Sequence, residues 1–238
     1  MSILQNVAPA SHAQVRRLDR SRHVAPQVLD RLRERIVSLD LPPGAVLPRA
    51  EIAAGFGVSQ TPVRDALMRL EEEGLVDVYP QHKTVVSRID LAQARQAHFL
   101  RRAIELEVAR TLATQRDAAL VKQLRATIAR QRTALSAGDY ADFVADDQAF
   151  HRQMYEAAGV PSLWEDVRRR SGHIDRLRRL HLPAEGKGEA IVRDHARIVD
   201  AIAKGDADAA QRRVREHLSG TLAQADAIRA RHPDYVTN

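Results

Sequence analysis

The chain has 238 residues, which is long enough for one large domain or for two small ones, each with its own hydrophobic core. It contains no cysteine, which excludes disulfides and thiolate metal sites, and no apolar run reaches the roughly 20 residues that a membrane span needs. Aromatic residues make up 4% of the chain, which favours packed helices over a β-sandwich. The formal charge of +6, carried mostly by arginine, suits a polyanionic partner, although arginine usage can also reflect genomic base composition.

Residues 1–22 are aperiodic and end in the arginine-rich run RRLDRSR. We interpret them as a flexible tail, which is either an inert solvated arm or a segment that touches phosphate. Because the first residues lack a basic region followed by an apolar core, no secretory signal is predicted. We therefore expect a soluble cytoplasmic protein.

Residues 23–89 predict three helices and a hairpin. Apolar residues recur at helical spacing in each helical stretch, and the strands alternate apolar and polar residues. The predicted helices run from Val24 to the LPPG at 41–44, from Arg49 to Gly55 and from an N-cap at Ser59 to about Glu73, and the strands at 75–80 and 84–89 flank a QHK tip. Helix, short helix, tight turn, helix and hairpin is the order of a winged helix-turn-helix.

The third helix has the properties of a DNA recognition helix. Its N-terminal turn offers short polar side chains and one arginine, which suit the major groove: Ser59, Gln60, Thr61 and Arg64. The helix N-terminus also favours phosphate through its dipole and free amides, and Pro62 fits that turn because its missing amide removes no hydrogen bond. An apolar stripe farther along docks the helix on a small core.

The run GVSQTPVRDALMRLEEEGLV at 57–76 resembles the DNA-binding signature of GntR-type bacterial regulators, GVSRTPVREALxxLxxEGLV. The preceding LPPGAVLPRAEIAAGF and the wing YPQHKTVV also resemble this family, so that the similarity covers about 24–89. The resemblance implies DNA contacts by Arg49, Ser59, Gln60, Thr61, Arg64 and the wing residue His82. For Arg49 and His82, a solvated polar side chain is the alternative.

Two residues depart from the GntR pattern. Gln60 stands where the family commonly has arginine, and glutamine pairs with adenine whereas arginine favours guanine, so a different operator base is expected there. Lys83 replaces the usual wing glycine, which alters the hairpin tip but suits a phosphate contact.

Residues 90–232 are predicted to be helical, followed by a C-terminal tail at 233–238. Five breaks divide this half into six amphipathic helices joined by short turns, at 114–117, 137–139, 159–162, 183–188 and 204–206. Such a pattern predicts an antiparallel helical bundle. The predicted fold class is therefore mainly α, with a winged helix-turn-helix at 23–89 followed by a six-helix bundle.

Four residues of the bundle suit a metal site. Asp147 and His151 lie four positions apart on one helix and project from the same face. His195 and His217 lie at similar distances from the turn at 204–206, so they can occupy the same level of a helical hairpin. One carboxylate and three imidazoles suit a divalent ion such as Zn²⁺, Mn²⁺ or Ni²⁺, whereas unrelated polar helix residues are the alternative.

Residues 90–230 resemble the FCD effector-binding domain of the FadR branch of GntR regulators. The resemblance is carried by R-x-x-x-E at Arg101 and Glu105, by D-x-x-F-H at 147–151 and by the late histidines. It implies that the metal ligands are Asp147, His151, His195 and His217. It further implies that Arg101 holds an effector carboxylate, although an ion pair with Glu105 explains Arg101 nearly as well. By its position His173 lines the effector cavity or contacts the metal, with a plain polar helix residue as the alternative.

The sequence thus predicts a homodimeric transcriptional regulator with no enzymatic activity. It is expected to bind double-stranded operator DNA as a repressor, with a small organic acid completing the coordination of the metal and modulating DNA binding. One rival is a helical metal-dependent phosphohydrolase, suggested by the adjacent Asp194 and His195, which leaves the winged helix unexplained. The other is an architectural DNA-binding protein, which predicts no ligand control and a metal-free helical domain.

Overall fold

The computed structural model describes residues 18–19, 21–80 and 82–238. Most of the predicted N-terminal tail, at 1–17 and 20, and Gln81 of the predicted hairpin tip lie outside the described residues. The described part is mainly helical, as predicted. Among the described helices, none combines the length and apolarity that a membrane crossing requires.

The N-terminal part is a winged helix-turn-helix. Its elements are α1 (Val24–Val37), α2 (Arg49–Phe56), α3 (Gln60–Glu72), β1 (Val76–Tyr79) and β2 (Lys83–Val86), the two strands forming an antiparallel hairpin. Gly57, at φ +65°, ends α2 in the left-handed conformation that glycine adopts without strain, and so makes the tight turn into α3 possible.

The apolar stripe of α3 lies in the core of this domain. Its buried residues pack with those of α1, including Leu32 and Ile36: Val63, Ala66, Leu67 and Leu70. Burial of this stripe fixes the helix on one side and leaves its polar N-terminal turn at the surface.

Eight helices form the second part of the described chain. They are α4 (Leu91–Gln115), α5 (Ala118–Ser136), α6 (Tyr140–Ala157), α7 (Pro161–Arg170), α8 (Gly172–His181), α9 (Lys187–Lys204), α10 (Ala207–Ser219) and α11 (Ala225–Arg231). The helices α4 and α10 pack along each other, and α5 packs between α6 and α9. Their core contains Leu124, Phe150, Ile198 and Ile202, each fully buried.

The structure differs from the predicted six-helix bundle in two places. The predicted fourth helix is broken at Ser171 into α7 and α8, and the predicted sixth helix ends at Ser219, before a short 3₁₀ turn and α11. The hydroxyl of Ser171 donates to the carbonyl of Val167 at 2.8 Å, a contact that bends helices, and Gly172 follows. A Cβ on Gly172 would lie 2.5 Å from Leu75 Cδ2, so the break brings α8 directly against the winged helix.

The predicted C-terminal tail at 233–238 is anchored to the connection between the two parts. Strand β3 (Ile89–Asp90) pairs in parallel with β4 (Val236–Thr237), and Val236 is buried. The guanidinium of Arg88 donates to the carbonyl of Val236 at 3.1 Å. A segment far along the chain therefore helps to hold the connection in place.

Candidate DNA-binding surface and metal centre

The predicted DNA contacts lie at the surface. All seven are exposed: Arg49, Ser59, Gln60, Thr61, Arg64, His82 and Lys83. Arg64 keeps 58% of its side chain exposed, with one guanidinium nitrogen 3.3 Å from Asp65. Lys83 lies on β2 with its Nζ 5.8 Å from the ring centre of Tyr79, at the wing.

The N-terminus of α3 is available to a ligand. Ser59 occupies the N-cap position with extended backbone, yet its hydroxyl makes no capping hydrogen bond. The first amides of α3 therefore have no side-chain partner at this cap, and together with the helix dipole they favour a phosphate.

The four predicted metal ligands converge inside the helical domain. Helix α6 supplies Asp147 and His151, α9 supplies His195 and α10 supplies His217, and each offers a ligand atom within 4.8 Å of the others. The Nε2 atom of His217 lies 3.2 Å from that of His195 and 3.3 Å from that of His151, while Asp147 Oδ1 lies 3.6 Å from His195 Nε2. Two ligands about 2.1 Å from one ion, at angles of about 90–120°, are separated by about 3.0–3.6 Å, so these spacings fit one central cation.

The unpaired atoms in the cluster also fit a cation. Asp147 Oδ1 is buried without a hydrogen-bond partner among the described residues. A buried carboxylate oxygen without a partner is unfavourable, and a cation removes that penalty. The residues present therefore suit a divalent metal ion.

Outer acceptors face the second nitrogen of each histidine. His195 Nδ1 lies 2.8 Å from Gln131 Oε1, His151 Nδ1 lies 2.9 Å from Glu105 Oε2, and His217 Nδ1 lies 3.9 Å from Asp194 Oδ2. Of these contacts only the one between His195 and Gln131 is a hydrogen bond, and donation from its Nδ1–H leaves the lone pair of His195 Nε2 directed into the cluster. Sequence reasoning missed these three contacts, because the acceptors come from α4, α5 and α9 with no shared spacing.

The electrostatics favour the metal-binding protonation state. Burial lowers the pKa of His217 to about 4, and burial together with the neighbouring His217 lowers the pKa of His195 well below its ordinary value. Burial alone would raise the pKa of Asp147, but the Arg178 guanidinium and the three histidines hold it below its usual range. At neutral pH His195 and His217 are thus neutral imidazoles and Asp147 is an ionised carboxylate, the forms that bind a cation.

A cavity of about 460 Å³ adjoins the cluster. Asp147, His217, Arg101, Arg178 and Lys187 line it from the helical domain. Helix α1 of the winged helix lines it as well, through Asp30, Arg33, Glu34, Val37 and Ser38. A molecule in this cavity can therefore contact both parts of the chain.

Arg33 connects the cavity to the recognition helix. Its Nε donates to Glu73 Oε2 at 2.7 Å, and Glu73 is the C-cap residue of α3. Side-chain exposure of the pair is only 18% and 12%, so water screens this ion pair less than it screens a surface pair.

The two predicted effector residues occupy different places. Arg101 is buried at the cavity, and its Nε donates to Glu105 Oε1 at 2.6 Å. Its position is therefore compatible both with a contact to an effector carboxylate and with a structural ion pair to Glu105. His173 lies away from the metal cluster and from the residues that line the cavity. Its Nδ1 accepts from the Asp90 amide at 2.9 Å, at the junction with the winged helix. The structure therefore does not bring His173 together with the other candidates.

The geometry disfavours the phosphohydrolase interpretation of Asp194 and His195. Only His195 points into the cluster, whereas Asp194 lies outside it, beside the Nδ1 atom of His217. Among the described residues, the adjacent pair does not place both side chains in one candidate metal cluster.

A winged helix joined to a helical domain with a cavity beside a buried cluster of histidines is the architecture of a DNA-binding regulator with a ligand domain, and sequence comparison agrees. Residues 25–86 match the model for bacterial regulatory proteins of the gntR family, and residues 96–220 match the FCD domain. The chain therefore belongs to the GntR family of bacterial regulatory proteins, and it is a transcriptional regulator with an FCD effector-binding domain.

Relatives extend over most of the chain. An uncharacterized HTH-type transcriptional regulator in an unstable DNA locus of Streptomyces ambofaciens is 39% identical over 205 residues, which cover 86% of each chain. The HTH-type transcriptional repressor RspR of Escherichia coli is 31% identical and covers 92% of this chain and 96% of its own.

Solved structures share the fold. The Escherichia coli protein McbR/YncC superposes with a TM-score of 0.74 at 20% identity, covering 87% of this chain and 98% of its own. A GntR regulator from a Rhodococcus species gives a TM-score of 0.69, also at 20% identity, covering 85% of this chain and 97% of its own. At this identity the likeness establishes the architecture alone.

Proposed function

We propose that this regulator is a repressor that releases its operator when a small organic acid enters the cavity beside a divalent ion held by Asp147, His151, His195 and His217. The observation that carries this proposal is the convergence of three imidazole Nε2 atoms and one carboxylate next to a cavity with α1 in its lining. Relatives named as repressors, RspR and a probable D-xylose utilization operon repressor of Paenarthrobacter nicotinovorans, support the direction of control.

The residues around the cavity favour an anionic ligand. When bound, the ion supplies a positive centre that a ligand carboxylate can coordinate; Zn²⁺, Ni²⁺ and Mn²⁺ all suit this donor set. Arg178 and Lys187 add positive charge to the lining, and Arg101 adds a buried guanidinium already paired with Glu105.

DNA recognition is proposed to use a homodimer. Two copies would place their α3 helices in successive major grooves, about 34 Å apart on one face of a near-palindromic operator. Ser59, Gln60, Thr61 and Arg64 would contact base edges and phosphate from α3, with Arg49, His82 and Lys83 on the flanking backbone. Ligand binding changes operator affinity only if it favours one arrangement of the winged helices over another.

The test begins with selection of duplexes from a random DNA pool by the full-length protein loaded with Zn²⁺. The selected duplex is then used in mobility-shift titrations of the wild type, Arg64→Ala and Arg69→Ala, a matched control because both arginines are exposed on α3. We expect Arg64→Ala to weaken binding by about tenfold or more and Arg69→Ala to leave it within about twofold. Organic acids that release the duplex from the wild type then identify the effector. Failure to select any duplex contradicts the proposal.

A further inference from the structure

A buried guanidinium lies between the two parts of the chain. Arg176, on α8, has no exposed surface. Its described hydrogen-bond partners are oxygen atoms of Ser87 and Gly172 and a ring nitrogen of His173, with no carboxylate among them. Burying a charge without a carboxylate among its hydrogen-bond partners is costly.

Arg176 holds the connection between the winged helix and the helical domain. Its Nη1 donates to the carbonyl oxygen of Ser87 at 2.7 Å, and its Nη2 lies 3.3 Å from the Ser87 hydroxyl. That hydroxyl donates to the carbonyl of Gly74 at 2.6 Å, and the Ser87 amide donates to the carbonyl of Leu75 at 3.0 Å. Gly74 and Leu75 follow Glu73, the C-cap residue of α3. The guanidinium is thus two hydrogen bonds from the end of the recognition helix.

His173 binds the other end of the same connection. It lies one turn before Arg176 on α8, and its Nδ1 accepts from the Asp90 amide. On the other side of the ring, a Cβ on Gly74 would come within 3.0 Å of His173 Nε2. One face of α8 therefore contacts Ser87, Asp90 and the residues that follow α3.

The opposite face of α8 belongs to the metal and ligand site. Arg178 lies about 200° around the helix from Arg176. Its Nη2 is 3.8 Å from Oδ2 of the metal ligand Asp147, and its Nη1 is 3.6 Å from Asp175. Arg178, Asp175 and Arg179 all line the cavity. One short helix thus contacts both the candidate site and the DNA-binding domain.

The charge that Arg178 faces depends on the state of the site. Without a cation the guanidinium is attracted by the negative Asp147 carboxylate, 3.8 Å away, as well as by Asp175 on its own helix. A divalent ion on Asp147 changes the local sum from one negative to one positive charge, and a ligand carboxylate brings it back to neutral. The electrostatic force on Arg178, and through it on α8, therefore changes when the ion binds and again when the ligand binds.

We infer that α8 transmits the state of the metal and ligand site to the winged helix, and that Arg176 is the positioning residue that carries this movement to Ser87. The inference rests on the proposed function of the cavity. Because Ser87 is bound to the residues that end α3, a displacement of α8 changes how the recognition helix is presented.

The test uses the reciprocity of coupling between two binding sites. Zn²⁺ alone is the probe, and its Kd is measured by calorimetry on full-length protein, free and saturated with the selected duplex. For the wild type we expect the two Kd values to differ by about fivefold or more. Arg176→Lys keeps the charge but loses the forked geometry of the guanidinium. For this variant we expect the ratio of the Zn²⁺ Kd values of the DNA-saturated and free protein to fall below about twofold. The Kd of the free variant should stay within about twofold of the wild type.

Two further variants keep the result decisive. Ser87→Ala removes the hydroxyl but keeps the carbonyl acceptor, and it is expected to reduce the ratio in the same direction even where Arg176→Lys folds poorly. Arg125→Lys on α5, an exposed arginine paired with Asp200, is the matched control and is expected to keep the wild-type ratio.

The outcomes separate this inference from the function on which it rests. Zn²⁺ that fails to bind the wild type contradicts the proposed metal site and the inference together. Zn²⁺ and DNA that both bind the wild type without affecting each other contradict the inference alone. An Arg176→Lys variant that folds and keeps the wild-type ratio also contradicts the inference alone.

Discussion

His195 and His217 lie on neighbouring antiparallel helices with their Nε2 atoms 3.2 Å apart, while their Nδ1 atoms face different acceptors, Gln131 and Asp194. Two imidazole lone pairs directed at each other at this distance repel unless a cation or a proton lies between them. Burial disfavours the charged form of the rings, since it lowers the pKa of His217 to about 4, whereas a neutral Nε2–H of one ring can still donate to the other. The spacing of the pair therefore also suits a metal ion.

Removal of a metal ligand should abolish metal binding without unfolding the protein. We expect His195→Asn to lose stoichiometric Zn²⁺ binding, because three ligands remain and one of the two closest Nε2 atoms is lost. Zn²⁺ at 100 times its Kd should stabilise the wild type by about 2.7 kcal/mol and leave the variant unaffected. Thermal unfolding with and without Zn²⁺ measures this. His23→Asn, at an exposed position, is the control, and an equal stabilisation of His195→Asn would contradict the assignment.

Loss of an outer acceptor should weaken metal binding without abolishing it. Gln131 Oε1 is the partner of His195 Nδ1, and Gln131 is fully buried. We expect Gln131→Met, similar in size but without the acceptor, to raise the Kd for Zn²⁺ by about 10- to 100-fold. Calorimetry measures the change. Gln123→Met, at an exposed position of the same helix, should leave the Kd unchanged. A Gln131→Met variant with wild-type affinity would exclude a role of this acceptor in orienting the ring.

The recognition helix offers a test of base preference. Gln60 is exposed at the first position of α3, where related signatures commonly carry arginine. We expect Gln60→Arg to move the selected base from adenine to guanine at one position of each half-site, with about 1–3 kcal/mol of discrimination. Repeating the duplex selection with the variant measures it. An unchanged consensus would place Gln60 away from the base edges.

The wing offers a test of phosphate contact. Lys83 is exposed on β2, and a lysine that contacts phosphate contributes to affinity through counterion release. We expect Lys83→Ala to weaken binding to all duplexes by a similar factor and to reduce the slope of log K against log salt by about 1 per site. Titrations over a range of salt concentrations measure the slope. A change in sequence preference instead of slope would assign Lys83 to base contact.

Stability of the metal-free protein should fall on mild acidification. Burial, with the nearby Arg176, lowers the pKa of His173 from 6.5 to about 4. The unfolded chain therefore takes up a proton on this residue near pH 6.5, whereas the folded protein does not until about pH 4. The unfolded state binds more protons in this window, so the free energy of unfolding decreases as pH falls, by up to about 3 kcal/mol for this residue.

Urea unfolding of the chelated protein across this pH window measures the loss. His173→Asn, which keeps an acceptor for the Asp90 amide, is expected to show a flatter pH dependence, and His23→Asn should follow the wild type. The buried acids Glu105 and Asp147 have lowered pKa values and lose their contribution only at lower pH. Burial also lowers the pKa of His195 and His217, which act in the same direction, so the difference between His173→Asn and the wild type measures the share of His173. Stability that rises between pH 6.5 and 4 would contradict the assignment.

The elements that could be predicted are those that depend on the local pattern of apolar and polar residues. Helical spacing of Val63, Leu67 and Leu70 defined α3, and the spacing of Asp147 and His151 placed both on one helix face. The four candidate metal ligands could be predicted together because each lies on a regular helix near a recognisable turn.

Features that depend on tertiary packing were not predictable from the sequence. Gln131 is 64 residues from His195, and nothing in the pattern of α5 distinguishes it from an exposed glutamine. The sequence leaves His173 either at the effector cavity or as a plain polar helix residue, and only the packing of α8 brings its Nδ1 to the Asp90 amide. Val236 and Thr237 form a strand only because Ile89 and Asp90 present a free edge to them.

The parallel pairing of β3 with β4 bears on protein engineering. A biosensor chimera is usually made by cutting between a DNA-binding module and its sensor and grafting each onto a foreign partner. Here a cut at Ile89 would separate the junction from Val236 and from the carbonyl that Arg88 binds. A transplant of this sensor therefore has to carry both strands and Arg88 as a single interchangeable unit.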